Sequence, residues 1–574
     1  MQKLSSSFEK FSSVEIPTPD LDEIRSEYES LSKRLMGAKD ADEAIGAIKD
    51  FFDLEDQMET IFAMIYIRHS IDTTDEKYQA LTRLSDSIQP KVSSYSVAFS
   101  NAILESGYLP QIEKRFGKLW IDEIRLQKKT FSPEIIPLLQ KENQLTSEYG
   151  ELTGGAQVEF QGNFYSLAQM GKFMHSDDRS IRSQASEKYW GWYSDNDDRI
   201  GGIYDDMVKV RTQIAKALGY RDFVGLGYDR MGRLDWDAND IDTYREQVRE
   251  FVVPLAQKIR DEQEKRLGFG ALTKYYDFDI FYQGGNPKPL GAPEELVAKA
   301  QRMYDSMDST TAGAFFRKMD EKGMFDLVAK KGKEGGGYEY YLPALKMPFI
   351  FSNFNGTSDD VDTLTHEFGH ALQAYLGSDQ EVPAYRSSTA EIDETHSMSM
   401  EFLTYPFMDL FFGKQTEKYR YMHLAEAITF IPYGTIVDAF QEYVYSHPEI
   451  SHKERKAYWR KLELEFLPYR QSFASNEFLA SGGFFERQAH IFENPFYYVD
   501  YTISEVLALE FFIMSLDDPK AAYDKYLAFA SLGGTLPYKA LLKKTHMDNP
   551  MVPPTLKRVT GKIAQYLDRH LPKD

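Results

Sequence analysis

The pentapeptide HEFGH, His366 to His370, constrains this chain more than any other stretch. Residues four apart on an α-helix share a face, with β-carbons about 5–6 Å apart, so both imidazoles can reach one tetrahedral cation. Zn²⁺ accepts such nitrogens and, in catalytic sites, keeps one position open for water. Glu367, offset around the helix from the two histidines, is placed to act as a general base towards that water. The flanks agree. An apolar stretch, Met347 to Phe354, predicts a short strand and leads through an Asn-Gly turn into Thr357, Ser358, Asp359, Asp360 and Asp362. Hydroxyl caps and first-turn carboxylates suit a helix start, and Gly377 suits its end. The expectation is a helix over 358–376 behind a strand. Gly369 inside it costs about 1 kcal/mol relative to Ala, which implies a close neighbour.

A catalytic zinc needs a third protein ligand. The H-E-x-x-H-x-x-G-x-x-H pattern is excluded, because Gln373 and Leu376 stand where it needs Gly and His. The later segment STAEIDETHSMSMEFLTY offers Glu391, Asp393, Glu394, His396 and Glu401. Read as a helix, Glu394 begins an otherwise apolar stripe with Met398 and Phe402. A carboxylate aimed at a core is costly unless paired, and metal ligation resolves that cost. Glu391 shares roughly this face and is the alternative ligand. His396 points elsewhere and reads as a hydrogen-bonded structural histidine. Asp362, four residues before His366, is a candidate acceptor for the back of a ligand imidazole.

HEFGH followed 24 residues after its last histidine by ETHSMSME resembles the thimet oligopeptidase and oligoendopeptidase F family of zinc peptidases, above all its bacterial Pz-peptidase-like branch. The strand and turn PFIFSNFNGT before the HE-containing helix is similar too. The resemblance implies one Zn²⁺ per chain, bound by His366, His370 and Glu394, with Glu367 as general base. It also implies a second element, here HIFENPFYYVDYTISE, in which His490, Tyr498 and Tyr501 donate hydrogen bonds to the reacting carbonyl. Upstream, SGGFFERQ carries the glycines of a mobile loop that could close over substrate. The implied fold is mainly α: an elongated helical body enclosing a deep channel, with a small β-sheet beside the zinc helix. The implied activity is cleavage of internal bonds in short, unstructured oligopeptides, with the substrate pairing along the strand near Phe349 to Phe354. The alternatives are a related zinc metallocarboxypeptidase and an inactive peptide-binding protein.

Composition agrees with this reading. The 574 residues contain no cysteine, which points to a reducing compartment, and a cytoplasmic location is the expectation. A net charge of −22 argues against nucleic acid as a partner. No apolar run of about 20 residues is present to span a membrane, and the N-terminus lacks the apolar core of a signal peptide. Apolar spacings of three and four predict helices through the first 120 or so residues. A small hairpin is expected around 152–170. We divide the chain into an N-terminal helical domain, 1–185, and a catalytic domain, 186–574. Within the latter the zinc-site core lies at about 340–410 and the His/Tyr segment at about 480–505.

Overall fold

The computed structural model describes residues 3–270 and 273–572. Helices dominate, and among the described residues strand is confined to a ribbon and one three-stranded sheet. The strands are β1 (Val158–Phe160), β2 (Asn163–Tyr165), β3 (Phe325–Val328), β4 (Tyr338–Leu342) and β5 (Met347–Phe354). By compactness the chain forms two units of three segments each. The first comprises Met1–Lys128, Lys288–Thr416 and Ala508–Met547; the second comprises Lys129–Pro287, Glu417–Leu507 and Asp548–Asp574.

The first unit begins with helices Leu21–Met36, Ala41–Ile71 and Glu76–Glu105. Each starts at an aspartate, Asp20, Asp40 or Asp75, whose carboxylate accepts first-turn N–H groups, a cap worth about 1 kcal/mol. Their apolar faces meet in a core that includes Tyr28, Phe51, Phe52, Ile61 and Phe99. Phe51 stacks on Phe99 at 4.3 Å. A buried side chain of this kind contributes about 1.5–3 kcal/mol.

In the same unit β5 lies between its partners, parallel to β3 and antiparallel to β4. Its run of buried residues, Met347 to Ser352, is what a central strand covered on both faces requires. Both hydrogen-bonding edges of β5 are therefore taken, and the expectation that a peptide pairs with Phe349 to Phe354 is wrong. The sheet edge beside the HEFGH segment belongs to β4.

The HEFGH helix runs Asp359–Gly377, one residue from the expected bounds at each end. Its start is not hydroxyl-capped. Ser358 already has helical backbone angles and makes no side-chain cap bond, whereas Asp360 reaches back to accept the N–H groups of Asn355 and Gly356, each at 2.8 Å. Gly377 is the helix's last residue rather than a stop beyond it. A Cβ there would meet the carbonyl oxygen of Arg386 at 2.4 Å.

Gly369 explains how the next helix, Ala390–Leu403, can cross so closely. A Cβ on Gly369 would lie 2.6 Å from Ser397 Cα and 2.7 Å from His396 O. These are backbone atoms, so no rotamer change relieves the clash.

The second unit is organised around buried arginines. Arg211, on the long helix Arg179–Ala217, is 1% exposed and donates to Glu142, to Tyr445 OH and to the carbonyls of Ile491 and Phe492. The expected hairpin is present as β1 and β2, turning at Gln161 and Gly162, both with positive φ. SGGFFERQ is not an exposed loop. Gly483 to Glu486 are buried, and a Cβ on Gly482 would meet the Lys456 carbonyl oxygen at 2.0 Å. Its glycines serve close packing. Among the described residues no helix is long and apolar enough to cross a membrane.

Replacing a mid-helix glycine by alanine ordinarily gains about 1 kcal/mol. At Gly369 the sign should reverse, because forcing the two helices apart costs roughly 1–3 kcal/mol. Gly369→Ala is expected to lower the thermal unfolding temperature and to weaken metal uptake, since Glu394 rides on the displaced helix. A thermal shift and metal titration that match the parent would show that the close crossing is not needed.

Candidate active site

The crossing of the two helices brings His366, His370 and Glu394 together, with one donor atom from each within 4.8 Å of the others. Nε2 of His366 and Nε2 of His370 each lie 3.4 Å from Oε2 of Glu394. That is long for an N–H···O bond, which prefers about 2.7–3.2 Å. It equals the edge of a tetrahedron with centre-to-corner bonds of about 2.0–2.1 Å, the length of zinc–nitrogen and zinc–oxygen bonds. Ser397 Oγ, on the same helix as Glu394, lies 3.2 Å from Oε2 and braces that carboxylate. The alternative ligand, Glu391, is not in this trio.

The back of His366 is held by Glu401, which the sequence offered only as a candidate third ligand. Nδ1 lies 2.7 Å from Glu401 Oε1. A carboxylate can only accept, so Nδ1 carries the hydrogen and Nε2 presents a lone pair to a cation. Glu401 fills the role for which Asp362 was the sequence candidate. Its signal was the spacing, seven residues or two turns after Glu394 on the same face. Glu367 is 7% exposed, and burial pushes its carboxyl above the usual range although His366 and His370 pull it down.

His396 is not the hydrogen-bonded histidine expected. It is fully buried, its ring nitrogens have no hydrogen-bond partner among the described residues, and the ring packs edge-on against Tyr526 and Phe529. Burial, with His370 nearby, pushes its pKa down to about 3, so it serves as a neutral aromatic filler. Beside His370 a cavity of about 120 Å³ is lined by Glu59, Glu339, Tyr341, Arg386 and Asp393.

A second trio has metal-like spacing: Asp197, His452 and Glu486. Here His452 Nε2 is only 2.7 Å from Asp197 Oδ1, a direct hydrogen bond, and Lys456 Nζ sits 2.5 Å from Asp197 Oδ2. The Lys456 ammonium already neutralises the Asp197 carboxylate. Burial pushes the Glu486 carboxyl up to about 8. Protons and a lysine balance this cluster, and it anchors the SGGFFERQ segment.

His490, Tyr498 and Tyr501 form their own cluster in the second unit. The His490 ring lies 4.8 Å from Tyr498 and 6.0 Å from Tyr501, and the two phenols are 5.5 Å apart, centroid to centroid. Two features hold the segment between them. Arg233, 0% exposed at its side chain, donates to Phe496 O at 2.6 Å and to Asp500 Oδ1 at 2.7 Å. Phe496 itself adopts φ +68°, and its N–H is taken by Gln441. Tyr244 OH then donates to Thr502 O.

A histidine pair and a glutamate on crossed helices, with a buried carboxylate between the histidines, define a metallopeptidase-type site. The chain belongs to Peptidase family M3, which it matches over residues 172–560, and it matches the Peptidase M3 N-terminal domain over residues 11–131. The solved structure of Pz peptidase A with an inhibitor is similar at 39% identity and a TM-score of 0.92, over 98% of this chain and 99% of that one. The oligoendopeptidase F homolog of Borreliella burgdorferi is 20% identical over 523 residues, 85% of this chain and 84% of its own length. Group B oligopeptidase PepB of Streptococcus agalactiae is 22% identical over 384 residues, 61% of this chain; the match spans 60% of that protein's length.

Glu401→Gln keeps a group to face His366 but removes the charge that favours the Nδ1–H tautomer. Chelator competition should show metal affinity reduced about 10–100-fold. Glu394→Gln should lose the metal outright while Glu391→Gln keeps it; the reverse pattern would move the third ligand to Glu391.

Proposed function

We propose that this peptidase is a zinc-dependent endopeptidase that cuts internal bonds of short, unstructured oligopeptides, its chemistry carried within residues 186–574. The observation that carries the reading is the pair of 3.4 Å separations from Glu394 to the two histidines. They match a zinc coordination edge and fall outside the usual hydrogen-bond range. The names of the similar proteins, an oligopeptidase and an oligoendopeptidase F homolog, support oligopeptides as the substrate class.

His366, His370 and Glu394 would hold the zinc, which would supply a Lewis acid able to polarise a carbonyl and lower the pKa of a water. Glu367 takes the proton of the attacking water and hands it to the leaving amine. Its buried, raised carboxyl suits both transfers, because a base poised nearer neutrality accepts and releases a proton readily. The extended substrate pairs with the edge of β4. That strand follows Gly337, where a Cβ would stand 3.7 Å from Glu367 Oε1, so the edge leads towards the base. The cavity beside His370 receives a substrate side chain. His490, Tyr498 and Tyr501 donate hydrogen bonds to the carbonyl oxygen as charge develops on it, a role commonly worth about 3–4 kcal/mol per donor.

Cleavage of a doubly blocked, internally quenched peptide of about ten residues tests the class. Internal cleavage that a chelator abolishes and zinc restores is expected. No internal cleavage despite one bound zinc would favour a carboxypeptidase or a peptide-binding protein, and no bound zinc would sink the reading. Glu367→Gln should retain zinc yet lose turnover on the order of 10³-fold; substantial remaining activity would refute its role. Tyr501→Phe should lower kcat far more than it raises KM, whereas a pure KM effect would make Tyr501 a binding residue.

A further inference from the structure

His490 has two ring nitrogens, and only a protonated one can donate to a carbonyl oxygen. The structure ties down the other. Gln488 Nε2 lies 2.9 Å from His490 Nδ1. An amide nitrogen can only donate, so Nδ1 is the acceptor and the proton of the neutral ring resides on Nε2.

The amide orientation rests on Tyr433. Its hydroxyl meets Gln488 Oε1 at 2.5 Å, and among the described residues this is the one hydrogen bond of that phenol. The ring of Tyr433 is enclosed by Trp459, Phe484 and Tyr498, with the Arg470 guanidinium over its face. The amide oxygen is therefore the acceptor that the hydroxyl hydrogen requires. Turning the amide over would leave that hydrogen without an acceptor, at a cost of about 1–3 kcal/mol, and would give the ring the opposite tautomer. Gln488 is itself 9% exposed. Two residues before it, Glu486 is fully buried against the Asp197, His452 and Lys456 cluster.

We propose that Gln488, oriented by Tyr433, is a positioning residue that holds His490 as the Nε2–H tautomer, so that the ring acts as a hydrogen-bond donor. The catalytic consequence rests on the reading above, in which His490 donates to the reacting carbonyl; the tautomer itself does not. The chemistry is a relay of donors, Tyr433 O–H to Gln488 Oε1 and Gln488 N–H to His490 Nδ1, which leaves the ring proton on Nε2. No bond is made or broken in it. The ring contacts of His490 include the titratable phenols Tyr497, Tyr498 and Tyr501.

The test is ¹⁵N-histidine NMR of the metal-loaded full chain, with the His490 signals assigned by their loss in His490→Phe. The parent protein should show His490 with Nδ1 unprotonated and Nε2 protonated. Gln488→Glu, the same size with acceptors only, should move a proton onto Nδ1. Above the pKa of that ring the variant's Nε2 no longer donates, and kcat should fall on the order of 10²-fold with KM changed less. At lower pH, where both nitrogens are protonated, the deficit should shrink. Tyr433→Phe, which removes the orienting hydroxyl but not the amide, should give a mixture of tautomers. An Nδ1–H signal in the parent, or an Nδ1 that stays unprotonated in Gln488→Glu, would overturn the proposal. If the tautomer behaves as expected but His490→Phe turns over at the parent rate, the positioning stands and the catalytic reading of His490 falls.

Discussion

Everything in the first unit's site depends on one close approach, the backbone of Gly369 against the backbone of His396 and Ser397. Helices usually pack with axes about 8–10 Å apart, separated by side chains. A glycine at the crossing point lets the second helix come nearer, and Glu394, two to three residues from the contact, is carried to the two imidazoles. The same contact explains why the intervening residues are serine, threonine and methionine. Thr395, Ser397 and Ser399 are fully buried, and Thr395 and Ser397 hydroxyls donate to carbonyls of their own helix. Small side chains allow the close packing, and the Thr395 and Ser397 hydroxyls satisfy themselves locally, while the Ser399 hydroxyl has no hydrogen-bond partner among the described residues. The helix spends helical propensity at Gly369 to bring Glu394 beside the two imidazoles.

The His490–Tyr501 segment is positioned by different means. It contains a residue in left-handed conformation, Phe496, where L side chains are disfavoured by about 1–2 kcal/mol. Such a residue persists where its surroundings over-determine it. Here Gln441 accepts its N–H, Arg233 donates to its carbonyl, and its fully buried ring packs against Tyr228 and Tyr445. The buried Arg233–Asp500 pair then joins that carbonyl to the first turn of the next helix. Breaking one partner of such a pair strands a charge, which commonly costs about 3–5 kcal/mol. The segment is thus held by polar groups in fixed directions, whereas the Glu394 helix is held by contact.

Much of this was legible in the chain. A pattern of period 3.6 with two histidines and a strand of near-continuous apolar residues are local signals, and both elements formed within a residue of their expected bounds; the hairpin expected around 152–170 occupies only Val158–Tyr165. Glu394 was legible because a carboxylate heading an apolar stripe needs a partner. What was not legible depends on which strand lies next to which. Residues 347–354 read equally well as an edge or a centre, and only the partners β3 and β4 decide it. SGGFFERQ read as a loop because glycines mark both mobile turns and close packing, and the deciding contacts, Lys456 and Phe478, come from elsewhere in the chain. His396 misled for a related reason: a neutral imidazole can serve as an aromatic filler, and sequence cannot say whether a donor will meet it.

The same side chain meets opposite partners in two places. At His366 the back nitrogen faces a carboxylate, Glu401, which can only accept; the hydrogen is drawn to Nδ1 and Nε2 is left with a lone pair suited to a cation. At His490 the back nitrogen faces an amide N–H, which can only donate; the hydrogen is driven to Nε2, suited to an oxygen bearing negative charge. A free imidazole would sample both tautomers and serve either purpose part of the time. The partner behind each ring, acceptor in one case and donor in the other, is what separates an electron-pair donor from a hydrogen-bond donor. The difference in tautomer between His366 and His490 therefore resides in Glu401 and Gln488 as much as in the rings, and motif reading, which recognises the rings, passes over the residues behind them.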